Sequence, residues 1–253
     1  MYEEKPLETE EETLEADENG RVFHMWEPLS FTTPQGYDYL HDGKVFRIGT
    51  NIFRFIVKGI LTVLDKALFG IEYEGKENID ALSGGAVTVC NHIHQMDCTF
   101  VDHILGLRRI YFITIEENFR IPVIRHIVLW LGGVPLPKSM HGMKELFDSM
   151  GKALRRGDIV QIYPEGIMYP YHKGLRQFQS GAFHLSCDND VPVLPMVITQ
   201  HKPRGIFRIF KKKPTLKLTV LPAIYPDTTL PKRRRVEQLQ KQCREAMEKK
   251  LSE

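Results

Sequence analysis

Apolar and polar positions along the 253-residue chain follow two alternating periods. Short runs of β-branched and apolar residues are separated by stretches in which apolar residues recur every three to four positions. The short runs predict strands at 86–90, 109–115, 158–163, 193–199 and 215–222. The stretches with the three- to four-residue repeat predict helices at 95–106, 119–131, 140–156 and 178–188. This alternation is typical of an α/β domain, in which helices flank a mainly parallel mixed sheet.

A different pattern precedes this domain, from Lys44 to Phe69. The stretch is rich in Ile, Leu, Val and Phe, but charges interrupt it too often for a helix that spans a bilayer. Its charged residues fall on one stripe of a helix and leave a broad apolar face opposite. They are Arg47, Arg54, Lys58 and Asp65. Two interpretations stay open, an interfacial helix that meets a membrane and a core-packed helix with a thin solvated stripe.

Charge is unevenly distributed, although the formal net charge is only +2. Residues 1–20 contain nine acidic side chains and a single lysine, whereas 202–213 and 232–235 are strongly basic. The acidic start has no apolar core segment, so we expect a disordered tail rather than a signal peptide. The basic segments suit phosphates of lipid headgroups, of nucleic acid or of an acidic cofactor, and solvated charged faces are the simpler alternative.

These patterns divide the chain into three parts. We predict an acidic tail at 1–25, an amphipathic helical segment that faces a membrane at 26–72, and an α/β domain at 73–253. The last part ends in a charged helix from Lys232. The four cysteines show no CxxC pairing and lie mostly among apolar residues, which is typical of reduced thiols in a cytosolic compartment.

The stretch with the clearest chemistry is "VTVCNHIHQMDCTF", residues 87–100. On a continuous helix, His92 and Asp97 would point about 140° apart. If a strand ends at Cys90 and a helix starts a few residues later, His92 lies in the turn and folds back to Asp97. The carboxylate then holds one imidazole nitrogen, while the other accepts a proton from an attacking hydroxyl. The sequence therefore predicts a general base at the end of a strand.

The same residues have two other interpretations. His92-Ile93-His94 resembles the start of an HxHxDH zinc motif, but that motif needs Asp and His where this chain has Met96 and Asp97. We therefore expect no metal site. The histidine and the aspartate could also be an ordinary capping or buried polar pair.

Four blocks of the sequence resemble, in order and approximate spacing, the motifs of the glycerolipid acyltransferase family. The first is the N-H-x-x-x-x-D pattern from Asn91 to Asp97. The others are "GGVPLPKS" at 132–139, "YPEGIMYPYHKGLRQFQSGAFHLS" at 163–186 and "VPVLPMVI" at 191–198. The resemblance covers most of the predicted α/β domain, residues 75–225.

This resemblance implies roles for particular residues. His92 is by resemblance the catalytic base and Asp97 its partner, whereas Glu165 and Gly166 belong to the acceptor site. Glu165 follows the predicted strand at 158–163, so we expect it at the same edge of the sheet as His92. For Glu165, a helix-start or salt-bridge role is the alternative.

The chain departs from the family's pattern directly after Gly166. Members commonly continue with Thr-Arg-Ser, whereas residues 167–169 are Ile-Met-Tyr and lack the arginine that would grip a phosphate. Lys173 and Arg176 come slightly later and are candidates to replace it, or else are plain solvated charges. Lys138 stands where the "GGVPLP" block commonly ends in arginine and is a further candidate for substrate binding.

The resemblance implies an O-acyltransferase that moves a fatty acyl group from an acyl thioester to a lysophospholipid hydroxyl. The first acceptor it suggests is 1-acyl-glycerol-3-phosphate, which would give phosphatidic acid. The donor would be acyl-CoA or acyl carrier protein, with no metal or other cofactor. We expect a peripheral, monotopic protein at the cytoplasmic face of a membrane. Nucleic-acid binding is not expected, because no recognition motif accompanies the basic runs.

Two alternatives stay open. One is an acyltransferase for another lysolipid or for a glycolipid acceptor, because the block after Gly166 is altered. The other is a lipid-binding protein that keeps the fold without the chemistry, which the intact spacing of His92 and Asp97 disfavours.

Overall fold

A computed structural model describes residues 31–205 and 207–253. The predicted acidic tail at 1–25 and the start of the predicted segment at 26–72 lie outside these residues. In the described part, one sheet carries helices on both of its faces. This is the α/β class that the sequence predicts.

The sheet is mainly parallel and has the strand order β1-β7-β6-β2-β5-β3-β4. Its strands are β1 (Glu72–Glu74), β2 (Ala86–Cys90), β3 (Ile110–Ile115), β4 (Gly133–Leu136), β5 (Ile159–Ile162), β6 (Val193–His201) and β7 (Thr215–Val220). From β6 to β4, all neighbours are parallel, whereas β7 is antiparallel to β6 and β1 is parallel to β7. The five parallel strands therefore end at one edge of the sheet, here termed the carboxyl edge, where α/β proteins collect functional groups.

Eight α-helices and one 3₁₀ helix occupy the described residues. They are α1 (Lys44–Phe69), α2 (Glu77–Asp80), α3 (Asp97–Ile104), the 3₁₀ helix (Glu116–Phe119), α4 (Ile124–Trp130), α5 (Met140–Arg155), α6 (Gly181–Asn189), α7 (Phe207–Phe210) and α8 (Lys232–Ser252). The helix predicted at 119–131 begins only at Ile124, after Pro122, which has no backbone N–H to extend the preceding 3₁₀ helix. Strand β4 was not predicted, because Gly133 and Pro135 are typical of loops.

Each face of the sheet packs on its own apolar cluster. Strand β2 is buried along its whole length, and its side chains alternate between the two clusters. Val87 and Val89 point to the cluster that contains residues of α5, α6 and α8. Ala86 and Cys90 point to the cluster that contains residues of α2 and α3. The turn after β2 is therefore anchored from both faces.

The residues immediately before α1 extend the core of the domain. Tyr39 and Leu40 are buried in the cluster that contains residues of α5. The hydroxyl of Tyr39 donates to the carbonyl oxygen of Gly142 at 3.4 Å, and the backbone N–H of Gly36 lies 3.2 Å from the carboxylate of Glu145. These contacts fix the start of α1 relative to α5.

Helix α1 turns its charged stripe towards the domain and its apolar face outwards. Arg54 and Asp65 are buried. The exposed apolar side chains on the helix are Val45, Ile48, Ile52, Phe55, Ile56, Ile60, Val63, Leu64 and Leu68. The interpretation of α1 as a core-packed helix with a solvated charged stripe is therefore wrong. Among the described helices, none is long and apolar enough to cross a bilayer.

Asp102 of α3 holds α1 against the domain through two cations. Its carboxylate accepts from Nη2 of Arg54 at 2.9 Å, and its other oxygen lies 3.4 Å from Nζ of Lys58. One turn earlier in α3, the hydroxyl of Thr99 donates to Asp65 of α1 at 2.9 Å. Because these charges have little contact with water, they depend on their partners rather than on solvent.

We predict that Asp102→Asn lowers the free energy of unfolding by about 3 kcal/mol, because it leaves Arg54 and Lys58 poorly compensated at a nearly dry contact. The matched control is Asp80→Asn, which removes an exposed partner of Lys76 and lowers the same quantity by less than about 1 kcal/mol. Urea denaturation of both variants measures the difference. Equal losses would show that α1 is not held by this contact.

Candidate active site

The turn after β2 carries the centre of the site. Strand β2 ends at Cys90 and α3 begins at Asp97, so the residues between them lie at the carboxyl edge. The buried side chain of Asn91 donates to the carbonyl oxygen of Ile198 in β6 at 3.0 Å and accepts from its N–H at 2.8 Å. This double contact ties the turn to β6 and fixes where His92 leaves the sheet.

The structure brings His92 and Asp97 together, as their spacing predicts. Nδ1 of His92 lies 3.0 Å from Oδ2 of Asp97. The same oxygen accepts from the backbone N–H groups of Ile93 at 2.7 Å and His94 at 2.9 Å. Asp97 is fully buried at the start of α3, where the helix dipole favours a negative charge. A carboxylate there accepts from Nδ1–H, and Nε2 of His92 then keeps the lone pair that takes a proton.

A tyrosine holds the same imidazole from its face. The ring of Tyr163 stacks on His92 with centroids 4.1 Å apart and planes 16° from parallel. Burial raises the pKa of the Tyr163 hydroxyl well above its usual value. That hydroxyl is buried and has no hydrogen-bond partner among the described residues. Sequence reasoning did not single out Tyr163. Its position directly before the Pro-Glu-Gly turn, at the end of a predicted strand, is the signal that could have identified it.

Glu165 emerges beside His92, because the strands that precede them, β5 and β2, are neighbours. Gly166 makes the turn possible with φ of +74°, a conformation that favours glycine. Its N–H donates to the backbone carbonyl oxygen of Tyr163 at 3.1 Å. The carboxylate of Glu165 is buried, and burial raises its pKa. A hydrogen bond from the backbone of Arg176 and nearby positive charges oppose this rise. Within the described part of the chain, Oε1 of Glu165 has no partner.

The loop after the glycine turn folds back onto the histidine turn. Backbone N–H groups of Tyr169 and Tyr171 donate to the carbonyl oxygens of His92 at 3.0 Å and Ile93 at 2.9 Å. The guanidinium of Arg176 lies 3.7 Å above the ring of Tyr169, within cation–π range. The loop, here termed the acceptor loop (residues 167–180), therefore brings a positive charge close to the base.

The other two predicted acceptor residues lie on the surface. Lys173 is exposed on the acceptor loop, close in sequence to Arg176. Lys138 is exposed, and its Nζ lies 3.2 Å from Oε1 of Glu117. Like Glu165 and Arg176, neither side chain lines the apolar cavity that lies next to His92.

A cavity of about 650 Å³ adjoins the base. His92, Tyr163 and Gly166 line it at the carboxyl edge. Apolar side chains form most of its remaining walls, among them Leu61, Phe112, Ile113, Met143, Phe147 and Ile162. These side chains come from both faces of the sheet. A cavity of this size and lining suits an extended apolar chain next to the imidazole.

The second histidine of the turn has a packing role. The ring of His94 lies 4.6 Å from that of Phe69 and 5.8 Å from that of Phe100, and its Nδ1 accepts from the backbone of Met96 at 3.1 Å. Burial lowers the pKa of His94. In the part of the chain that the structure describes, no three His, Cys, Asp or Glu side chains are grouped so as to hold a metal ion.

A model of the protein family described as Acyltransferase matches residues 70–199. The match spans slightly more than half of the chain and includes His92, Asp97 and Glu165. The chain belongs to the Acyltransferase family. In this acyltransferase, the matched region runs from just before β1 into β6 and so includes all of β2, β3, β4 and β5 and most of β6.

The fold is also that of a solved acyltransferase. The crystal structure of the 1-acyl-sn-glycerophosphate (LPA) acyltransferase PlsC from Thermotoga maritima matches with a TM-score of 0.58. The two chains are 21% identical, and the match covers 82% of this chain and 88% of that chain. At this identity the likeness shows a shared fold.

We predict that Tyr163→Leu lowers kcat for acyl transfer about two- to tenfold, because an aromatic stack contributes about 0.5–1.5 kcal/mol. Tyr163→Phe keeps the stack and removes a buried hydroxyl without a described partner, so it retains kcat and is at least as stable. Steady-state kinetics and thermal unfolding of both variants provide the measurement. Equal kcat in the two variants would mean that the stack does not position His92.

Proposed function

We propose that this acyltransferase moves a fatty acyl group from an acyl thioester to the hydroxyl of a lysophospholipid. The first acceptor we propose is 1-acyl-glycerol-3-phosphate, with phosphatidic acid as the product. The observation that carries this proposal is the contact between His92 and Asp97 beside an apolar cavity. Transfer of a chain to an alcohol requires a base for the hydroxyl and an apolar site for the chain. The fold shared with a protein named LPA acyltransferase supports the acceptor class.

The proposed reaction proceeds without a nucleophile from the protein. Nε2 of His92 takes the proton of the acceptor hydroxyl while that oxygen attacks the thioester carbonyl carbon. The new C–O bond forms, the C–S bond breaks, and the proton on His92 passes to the departing thiolate. Asp97 stabilises the imidazolium between these two proton transfers.

The developing oxyanion requires donors that are not already occupied. The N–H groups of Ile93 and His94 both point to Asp97, so they serve the base rather than the oxyanion. The N–H groups of Asp97, Thr99 and Phe100 are already bonded to carbonyl oxygens of the turn. We therefore propose that the backbone N–H of Cys98, a residue that lines the cavity, supplies the oxyanion contact. The acyl chain then lies in the apolar cavity, and acyl-CoA or acyl carrier protein presents the thioester. No other cofactor enters this proposal.

We propose that the acceptor binds between Glu165 and the acceptor loop. The unpartnered oxygen of Glu165 in the described structure suits an acceptor hydroxyl, and Gly166 lets the backbone approach it closely. Arg176 and Lys173 provide positive charge for a phosphate. Lys138 is engaged with Glu117 and would first have to leave that partner.

A second acceptor class is supported by one feature of the same loop. Residues 167–169 are Ile-Met-Tyr, and the guanidinium of Arg176 is stacked on Tyr169 rather than free. The same chemistry on another lysolipid or on a glycolipid acceptor is therefore the alternative. A lipid-binding protein without chemistry is disfavoured by the contact between His92 and Asp97.

We further propose that the enzyme works as a peripheral, monotopic protein on the cytoplasmic face of a membrane. The outward apolar face of α1 supports this location, because its large side chains are exposed along the helix while Arg54 and Lys58 are turned inwards. A helix of this kind lies in the plane of the interface, with its apolar face among the acyl chains.

We predict that His92→Ala lowers kcat for acyl transfer by about 10²–10⁴, the usual contribution of a general base. His141→Ala, which changes an exposed histidine of α5, is the matched control and leaves kcat unchanged. The assay follows transfer from radiolabelled acyl-CoA to 1-acyl-glycerol-3-phosphate. Normal transfer by purified His92→Ala would remove the assignment of the base.

Separate changes of Arg176→Gln and Lys173→Gln test the acceptor site. We predict that at least one raises KM for 1-acyl-glycerol-3-phosphate about 10- to 100-fold, because a hydrogen bond to a charged group contributes about 1.5–3 kcal/mol. KM for the acyl donor stays the same. Lys249→Gln, an exposed lysine near the end of α8, serves as the control. Unaltered acceptor KM in both variants would count against a phosphate site on this loop.

A further inference from the structure

The two basic segments of the sequence lie at opposite edges of the sheet. Residues 202–213 join β6 to β7, so they follow the end of β6 at the carboxyl edge, where His92 also lies. Residues 232–235 begin α8 after β7 has returned to the other edge. There, Lys232 pairs with Asp188 of α6 at 2.6 Å. Only the first segment therefore shares an edge with the active site.

This first segment, here termed the basic hairpin (residues 202–213, "KPRGIFRIFKKK"), combines charge with exposed apolar side chains. It contains six Lys or Arg residues and no acidic residue. In α7, Ile209 is 77% exposed and Phe210 is 76% exposed. Arg208 and Lys212 flank them and are also exposed. A charged face that is merely solvated would not need two large apolar side chains between its cations.

The basic hairpin contacts both α1 and the acceptor loop. Nζ of Lys211 donates to the carbonyl oxygen of Phe69, the last residue of α1, at 2.9 Å. Nζ of Lys213 lies 5.4 Å from the centre of the Tyr171 ring in the acceptor loop. The hairpin therefore connects the end of α1 to the loop that covers the histidine turn.

The exposed apolar residues of the hairpin lie directly before Lys211, which contacts the end of α1. The last turns of that helix expose Leu64 and Leu68, and the hairpin is bonded to the end of the same helix. Ile209 and Phe210 therefore provide exposed apolar surface beyond the end of α1, at the carboxyl edge where His92 also lies.

We propose that the basic hairpin binds the surface of an anionic membrane. Ile209 and Phe210 enter the interface, and Arg208 and Lys212 bind the phosphates of lipid headgroups. A membrane is the occupant because six cations without an acidic residue match a negative surface, and because the exposed apolar side chains require hydrocarbon. This inference rests on the proposed membrane function of α1 and adds a preference for anionic lipid.

Binding of vesicles by the full chain tests this proposal. Flotation compares vesicles of phosphatidylcholine alone with vesicles that also contain phosphatidylglycerol. The double variant Arg208→Glu with Lys212→Glu is expected to bind the anionic vesicles roughly tenfold or more weakly. Ile209→Ser with Phe210→Ser is expected to weaken binding as well. Arg233→Glu with Arg234→Glu makes the same change of charge at the opposite edge and is expected to bind normally.

The outcomes separate the hairpin from α1. Ile52→Ser with Phe55→Ser, on the outward face of α1, is expected to lower binding to both kinds of vesicle. If only this α1 variant departs from expectation and binds both kinds of vesicle normally, the proposed role of α1 is wrong. The comparison between the hairpin and α8 charge variants then still tests the hairpin. Equal losses in the hairpin and α8 charge variants, or no loss in either, would overturn the hairpin proposal. So would salt-sensitive retention on RNA or DNA without any binding to vesicles. A midpoint of thermal unfolding equal to that of the wild type shows that each variant is folded.

Discussion

The site depends on one oxygen atom, Oδ2 of Asp97, which accepts hydrogen bonds from the imidazole of His92 and from two backbone N–H groups. The two backbone contacts shape the turn, and the third sets the direction of the imidazole. A single buried carboxylate therefore fixes both the path of the chain and the nitrogen that is available to a substrate. These three donors offset part of the free-energy cost of removing the carboxylate from water. Its other oxygen, Oδ1, has no hydrogen-bond partner among the described residues. The adjoining contacts of Asn91 and Tyr163 restrict the same turn from the sheet and from the face of the ring.

Helix α1 differs from most surface helices, since Arg54 and Lys58 are docked on the domain and large apolar side chains face outwards. The docked charges are stable because Asp102 and Thr99 supply partners on α3. The outward side chains gain nothing from water, in which apolar surface is unfavourable by about 25 cal/mol per Å². Burial of this face in a bilayer interface would recover that energy without disturbing the docked face.

Much of the fold follows from local patterns, and the parts that do not follow depend on distant contacts. The buried strand Ala86–Cys90 and the helix Lys44–Phe69 have the bounds that their periods predict, and the spacing of His92 and Asp97 predicts their contact. Periodicity separates the two faces of α1 but contains no information on which one docks, because Asp102 lies far along the chain. Strands β1 and β4 are short and depend on pairing with distant neighbours. The stack of Tyr163 on His92 likewise requires β5 to pair beside β2.

The direction of a single strand decides which charges can serve the active site. Because β7 is antiparallel to β6, residues 202–214 connect the two strands at the carboxyl edge, and the chain then returns to the opposite edge before α8 begins. Two basic segments that are alike in composition therefore have different surroundings. One contacts α1 and the acceptor loop, and the other meets acidic Asp188. Composition alone treats both as equal candidates for a phosphate surface. The order and direction of the strands distinguish them, because a charge contributes to recognition only where the substrate can reach it.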